Sequence, residues 1–386
     1  MNALTGTRDL VRLALRRDRV MLPAWIAVFV LVSVSSASAT AELYPTIESR
    51  IRAAASVNAS PSLVALYGRV YDPTSLGALA MLKMGVFGAA LVAVLAILTV
   101  IRHTRAEEET GRLELIGATV LGRFAALTAA LIVVVGANLL LGLLTALGLM
   151  AVNLPAAGAM AFGLSWAAVG VVFAAVAALA AQLTRSARAA KGIGVSVLGL
   201  AYLLRAIGDA SGNDGTLWLS WLSPLGWGQQ MRPFAGNRWW VLVILIVFAA
   251  VTTAGTYALQ SRRDLDAGLL PDRPGPASAA AGLRSPLALA WRLHRGVLLG
   301  WTVGFVVAGA VLGSVVSSVG DMLDSPQARD LMTKLGGPQG LTDAFLAAEM
   351  GFLGVIVSAY GVQAALRLRS EETALRAEPV LAAAVS

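Results

Sequence analysis

The sequence predicts an all-α fold, a polytopic transmembrane helical bundle, and three observations carry that prediction. Charged residues are 13% of the 386-residue chain against 57% hydrophobic, with mean hydropathy +0.74. Soluble domains carry about 25% charge, so polar side chains cannot coat this surface and lipid must solvate much of it. Apolar runs recur at the length of ~20 residues that crosses a hydrocarbon core. Lysine and arginine gather on one side of those runs, as the positive-inside rule requires.

The elements follow in chain order. "MNALTGTRDLVRLALRRDRV" sets Leu10, Leu13 and Ala14 among Arg8, Arg12, Arg16, Arg17 and Arg19. This predicts an amphipathic helix on the inner membrane surface. It is not a cleavable signal, since no A-x-A site follows a short apolar core. Eight candidate spans follow: 20–41, 76–101, 121–150, 157–183, 192–208, 239–259, 297–317 and 345–366. The fifth is short and carries Arg205. With the N-terminus inside, the inner segments hold 21 Lys and Arg and the outer segments 7. The segment 260–283 is rich in Pro, Gly and charge, including Pro271, Pro274 and Pro276. Irregular backbone does not face lipid, so it reads as a cytosolic linker. Residues 1–259 form a first unit, an amphipathic helix and six transmembrane helices. Residues 284–386 begin a second unit with two more.

The two units resemble each other. Thr5–Trp25 aligns without gaps on Ala281–Trp301, with eight identities in 21 positions. These include Arg8 with Arg284, Arg16 with Arg292, Arg19 with Arg295 and Trp25 with Trp301. Farther on, "RAEEETGRLE" meets "RSEETALRAE": Arg105 pairs with Arg369, Glu107 and Glu108 with Glu371 and Glu372, Arg112 with Arg376, and Glu114 with Glu378. Lipid gives no reason to repeat Arg, Glu and Trp. Two copies in one orientation mean a parallel repeat with an even number of crossings. The first unit has six crossings and the second two, so a complete second unit is expected to need about four more.

The acidic turn, Glu107, Glu108 and Glu109 followed by Gly111, Arg112 and Glu114, starts a short amphipathic helix. Leu113, Ile116, Gly117 and Val120 share its apolar face. Glu108 and Arg112 stand i,i+4 in the favourable order. A single copy would read equally well as a solvated loop that only enforces topology. A second copy, with Glu371, Glu372, Arg376 and Glu378, favours a docking role.

On these residues the chain resembles a family. "EEETGRLELIGATV" is similar to the motif after the second span of ABC-2-type transporter permeases. The linker "RRDLDAGLLPDRPGPA", "LALAWRLHRGVLLGW" and "SEETALRAEPVLAAAVS" resemble actinobacterial polyketide-antibiotic exporter permeases of the tetronasin-resistance type. The resemblance implies a two-unit, twelve-span permease in the bacterial plasma membrane, with its N-terminus cytoplasmic. It implies export of hydrophobic or amphipathic compounds such as antibiotics, driven by a separate ABC ATPase subunit in two copies. The acidic segments would be the coupling helices. No cofactor is expected on this chain; ATP and Mg belong to the partner. The residues agree in one respect: no G-x-x-x-x-G-K-[ST] occurs, and "RAAKGIGVS" lacks its spacing.

The remaining residues are weighed individually. Lys83 and Arg205 read as snorkelling to the outer interface, or else as an outer vestibule. "TLWLSWLSPLGWGQQMRPFAGNRWW" concentrates tryptophan on the outer side. An aromatic belt explains it; the sharper reading makes Trp221, Trp227 and Trp239 an exit gate. Ile47, Ile51, Ala54 and Ala55 predict a helix in the long outer loop, either a lid or an inert connector. There are no cysteines and only two histidines, so thiolate metal sites and disulfides are excluded and no metal is expected. The net charge of +8 is ascribed to membrane lipid rather than nucleic acid. A secondary transporter or a membrane scaffold is the alternative. Secondary transporters place carboxylates in mid-membrane, and here only Glu349, near an outer end, falls within a span.

Overall fold

A computed structural model describes residues 2–112, 121–210, 218–263 and 267–270, and beyond them 277–278, 280, 282–283, 285–322 and parts of 350–378. The described residues are helical, without a strand among them. The chain divides into two compact units, Met1–Arg273 and Pro274–Ser386.

In the first unit α1 (Thr7–Arg17) leads into α2 (Met21–Leu43). The loop after α2 carries α3 (Ile47–Ala59) and α4 (Pro61–Tyr67). Thr46 and Ser60 cap these helices by accepting from the backbone N–H groups of Ser49 and Leu63, which satisfies donors that a helix start leaves open. Next come α5 (Leu76–Ala80), a π turn at Met84–Gly88, α6 (Ala89–His103) and α7 (Arg105–Glu109). Then follow α8 (Ala125–Ala151), α9 (Ala156–Leu183), α10 (Ala187–Ala210), α11 (Trp218–Trp221), α12 (Pro224–Gln230) and α13 (Trp240–Gln260). Among the described residues, six helical stretches are long and apolar enough to cross a membrane: 21–43, 84–109, 125–151, 156–183, 187–210 and 240–260.

Helix α9 is the axis of this unit. Buried residues make up 72% of its apolar window, against 28% for α2 and 22% for α13. It packs most broadly on α8, α6 and α13. Between α8 and α9 the backbones touch: a Cβ on Gly142 would stand 2.4 Å from the Gly163 carbonyl oxygen, and one on Gly163 2.1 Å from that of Gly142. Small residues allow this approach, and in lipid such close packing supplies much of the association energy.

Two spans differ from expectation. The second, expected to run continuously over 76–101, turns at Met81 and passes through the π turn. Trp166 on α9 packs against that π turn. Its indole N–H donates to the carbonyls of Met84 and Gly85 at 3.2 and 3.3 Å, and its ring fills the place of any side chain at Gly88. Inserted side chains and π turns go together. The fifth, expected over 192–208, spans the 24 residues of α10, because Arg205 is satisfied inside the protein.

In the second unit α14 (Pro286–Met322) covers the expected span 297–317. Its Trp301 donates to Gln363 Oε1 at 2.7 Å and packs on Tyr360. The expected span 345–366 lies partly outside the described residues.

Candidate functional site

The acidic turn sits where α6 ends. Thr104 leaves helical geometry (φ −121, ψ −89) and its hydroxyl donates to the Val100 carbonyl at 2.7 Å. The chain then restarts as α7, whose three glutamates point to three different elements.

Glu108 is the centre. Arg105, 0% exposed, pairs with it, while its Nε and Nη2 donate to the carbonyls of Thr184 (2.5 Å) and Ala267 (2.7 Å). Arg263, beyond α13, grips Glu108 with both Nη groups at 2.8 Å and also donates to Ala267. This is the bidentate arrangement that a planar guanidinium favours. One carboxylate therefore pairs with two buried cations and ties the end of α6 to the chain entering the linker. Glu107 pairs with Arg17 at the end of α1 and stands 3.7 Å from Arg112. Glu109 accepts from the Ala187 N–H at 3.0 Å, an open donor at the start of α10.

Neighbouring contacts extend this network. Asp18, fully buried between α1 and α2, meets His103 at 2.5 Å and Arg102 at 2.9 Å. Arg123, at the start of α8, donates to the carbonyls of Gln260, Ser261 and Arg263. Sequence reading missed Arg17, Asp18, Arg123 and Arg263. It registered Arg105 only as a repeat match, although a charged residue repeated beside a span was the available signal.

Gly111 closes α7 in the left-handed region (φ 69), its N–H bonded to the Glu108 carbonyl at 2.9 Å. Glycine takes that conformation without strain. Arg112 stays 56% exposed at the side chain. Glu114 and the expected apolar face at 113–120 lie outside the described residues, as does Arg376. In the second unit Glu371 pairs with Arg367 of its own helix at 3.0 Å, while Glu372 and Glu378 are exposed.

At the opposite end of the first unit, Arg205 does not snorkel. It is 0% exposed and donates to the carbonyls of Ala65 (2.7 Å) and Leu66 (3.2 Å), at the end of α4. Tyr202 donates to the same Leu66 carbonyl at 2.6 Å, and Arg69 donates to the Asp209 carbonyl. The last carbonyls of α4 are open acceptors, and burying a guanidinium against them costs less than leaving either group bare. The loop that carries α3 and α4 is thus fastened to α10.

The expected α3 forms, with Ala54 buried and Ile47 and Ile51 exposed. Trp221 stacks on Trp240 of α13 (5.6 Å, 13°), and Trp227 donates to the Trp221 carbonyl at 2.6 Å while packing on Phe248. Trp239 and Lys83 are exposed. The structure therefore brings Trp221 and Trp227 together and leaves Trp239 outside their packing.

With this geometry in hand the comparisons decide the family. The model for the multidrug efflux system permease Rv1217c, C-terminal domain, matches residues 8–259 and 283–386. The chain belongs to this permease family. It is 51% identical over 387 residues to the multidrug efflux system permease protein Rv1217c of Mycobacterium tuberculosis H37Rv, an alignment covering all of this chain and 70% of that protein. The family and the six apolar helices together make this a multi-pass membrane protein of the permease class, consistent with an ABC-2 permease.

Proposed function

We infer that the chain is the membrane subunit of an ATP-driven exporter of hydrophobic or amphipathic drugs. Its N-terminus is cytoplasmic, and it is coupled to a separate ABC ATPase, in two copies, that carries the ATP and Mg. The printed name of the relative, a multidrug efflux permease, supports the cargo class. The carrying observation is the acidic turn: one segment of five residues is bonded to α1, α10 and the chain beyond α13 at once. A push on that segment reaches three elements through bonded contacts, which is what a rigid-body tilt of the spans requires.

The same geometry selects the residues for a test. Glu108 is committed inward, so charge reversal there would test the fold. Arg112, exposed and only loosely paired with Glu107 at 3.7 Å, is placed to meet a partner surface. Arg112→Glu, co-reconstituted with the partner ATPase, is expected to cut drug-stimulated ATP hydrolysis about tenfold, the size of an ordinary coupling energy, at unchanged membrane abundance. Full stimulation in that variant would overturn direct coupling through this turn.

A further inference from the structure

The end of the first unit opposite the acidic turn holds a small cavity of about 60 Å³. A drug-sized site needs several hundred Å³, whereas one water needs ~10–15 Å³ by the same measure. The cavity therefore fits a few waters or one compact polar group, and no whole drug.

Its lining is lopsided in charge. Arg69, Arg232, Tyr71 and Gln229 are among its polar residues, Met81 and Phe162 are among the apolar residues of the floor, and none of the described residues that line it is a carboxylate. Arg232 lies over the Tyr71 ring, 4.1 Å from its centroid, with one 3.3 Å bond to Gln230 Oε1. The Tyr71 hydroxyl accepts from the Gln230 amide at 2.9 Å. Burial first, and Asp209 second, push the Tyr71 pKa up to about 12 against the opposing pull of Arg232, so the phenol keeps its proton and can donate. Burial, and to a lesser extent Arg238 nearby, lower the Arg232 pKa against the opposing pull of Tyr71, as desolvation of a cation does. The Asp209 carboxylate is engaged elsewhere, by Ser220 at 2.7 Å and by Arg205 at 3.5 Å.

Arg232 is also held in place. Its φ of 48 and those of Phe234 (61) and Asn237 (43) are left-handed, a cost that surrounding structure must sustain. Asn237 Oδ1 accepts from the Phe234 N–H at 3.0 Å, and the Phe234 ring lies where any side chain at Gly77 or Gly158 would go. The turn that presents Arg232 is thus clamped against α5 and α9.

We propose that this pocket, with Arg232 as its cation and Tyr71 as a neutral donor, binds the anionic head group of an amphiphile, a carboxylate or a phosphate. Guanidinium groups match such oxyanions, and the apolar floor accommodates the first carbons behind the head.

The test uses the full chain in phosphatidylcholine nanodiscs with radiolabelled dodecanoate as probe. Saturable binding is expected, weakened about tenfold or more by Arg232→Gln and less by Arg232→Lys, as loss of a charge-assisted bond predicts. Competition by phosphatidylglycerol added to the nanodisc would assign the lipid head group as the occupant. Competition by inorganic phosphate alone would assign a free anion, and neither competing would assign an amphiphilic carboxylic acid. Equal dodecanoate binding by wild type and a folded Arg232→Gln protein would overturn the proposal. If that variant does not fold, wild-type protein treated with phenylglyoxal decides: dodecanoate is expected to shield Arg232 from modification, and no shielding overturns it. No ATPase takes part, so failure here leaves the export reading standing.

Discussion

The two acidic turns carry nearly the same residues and are held in different ways. In the first unit Glu107 reaches Arg17 on another helix; in the second, Glu371 pairs with Arg367 one turn away on its own helix. The repeat alignment explains why. Arg17 falls opposite Leu293, Asp18 opposite His294, and Glu109 opposite Thr373. The second unit keeps the acidic motif while its leading helix lacks the charges that anchor the first. Repetition of a motif therefore does not imply repetition of its anchoring.

The sharpest way to break this comparison is at its most buried member. Glu108→Ala strands two guanidiniums, Arg105 at 0% and Arg263 at 4% exposure, and removing one partner of a buried pair costs about 3–5 kcal/mol. Thermal unfolding in detergent should show a large loss, whereas Glu372→Ala, at an exposed position, should stay within about 0.5 kcal/mol. Equal losses would mean that the two turns are anchored alike. Next in size is Glu109→Gln, which weakens the charge-assisted bond to the Ala187 N–H. A cost of about 1 kcal/mol is expected from capping data, with faster hydrogen exchange confined to the first turn of α10.

Arg17→Leu writes the second unit's residue into the first. The pair is partly exposed, so its worth is discounted to about 0.5–1 kcal/mol. The expected readout is earlier proteolytic cleavage between α1 and α2, and unchanged cleavage would show that Asp18 with Arg102 and His103 suffices to dock α1. Smallest is Glu371→Gln, removing an i,i+4 pair worth about 0.3–0.5 kcal/mol. A loss above about 2 kcal/mol would show that more than this pair depends on Glu371.

Much of the architecture was legible in the residues. The first six expected spans correspond to the six apolar helices, with ends a few residues apart except in the second, which turns at Met81. Hydrophobic runs of membrane length report burial in lipid whatever their neighbours do. The helix in the loop after α2 was legible too, because Ile47, Ile51, Ala54 and Ala55 recur at helical spacing. The partners of the acidic turn were not. Glu107 and Arg17 are 90 residues apart, Glu108 and Arg263 155, and Glu109 and Ala187 78. No periodicity relates residues at such separations. Arg205 misled for a related reason: an arginine near a span end snorkels unless the fold brings it acceptors, and the carbonyls of α4 lie about 140 residues away in sequence.

By itself the sequence determined that this chain is helical, crosses a membrane repeatedly, repeats itself and places an acidic turn after its second span. These properties follow from local composition and from the free energy of transferring side chains to lipid. Only the tertiary structure decided which charges are buried and what each one holds. A charge in a low-dielectric interior persists where opposite charges and carbonyl oxygens are assembled around it, and that assembly depends on how distant helices pack.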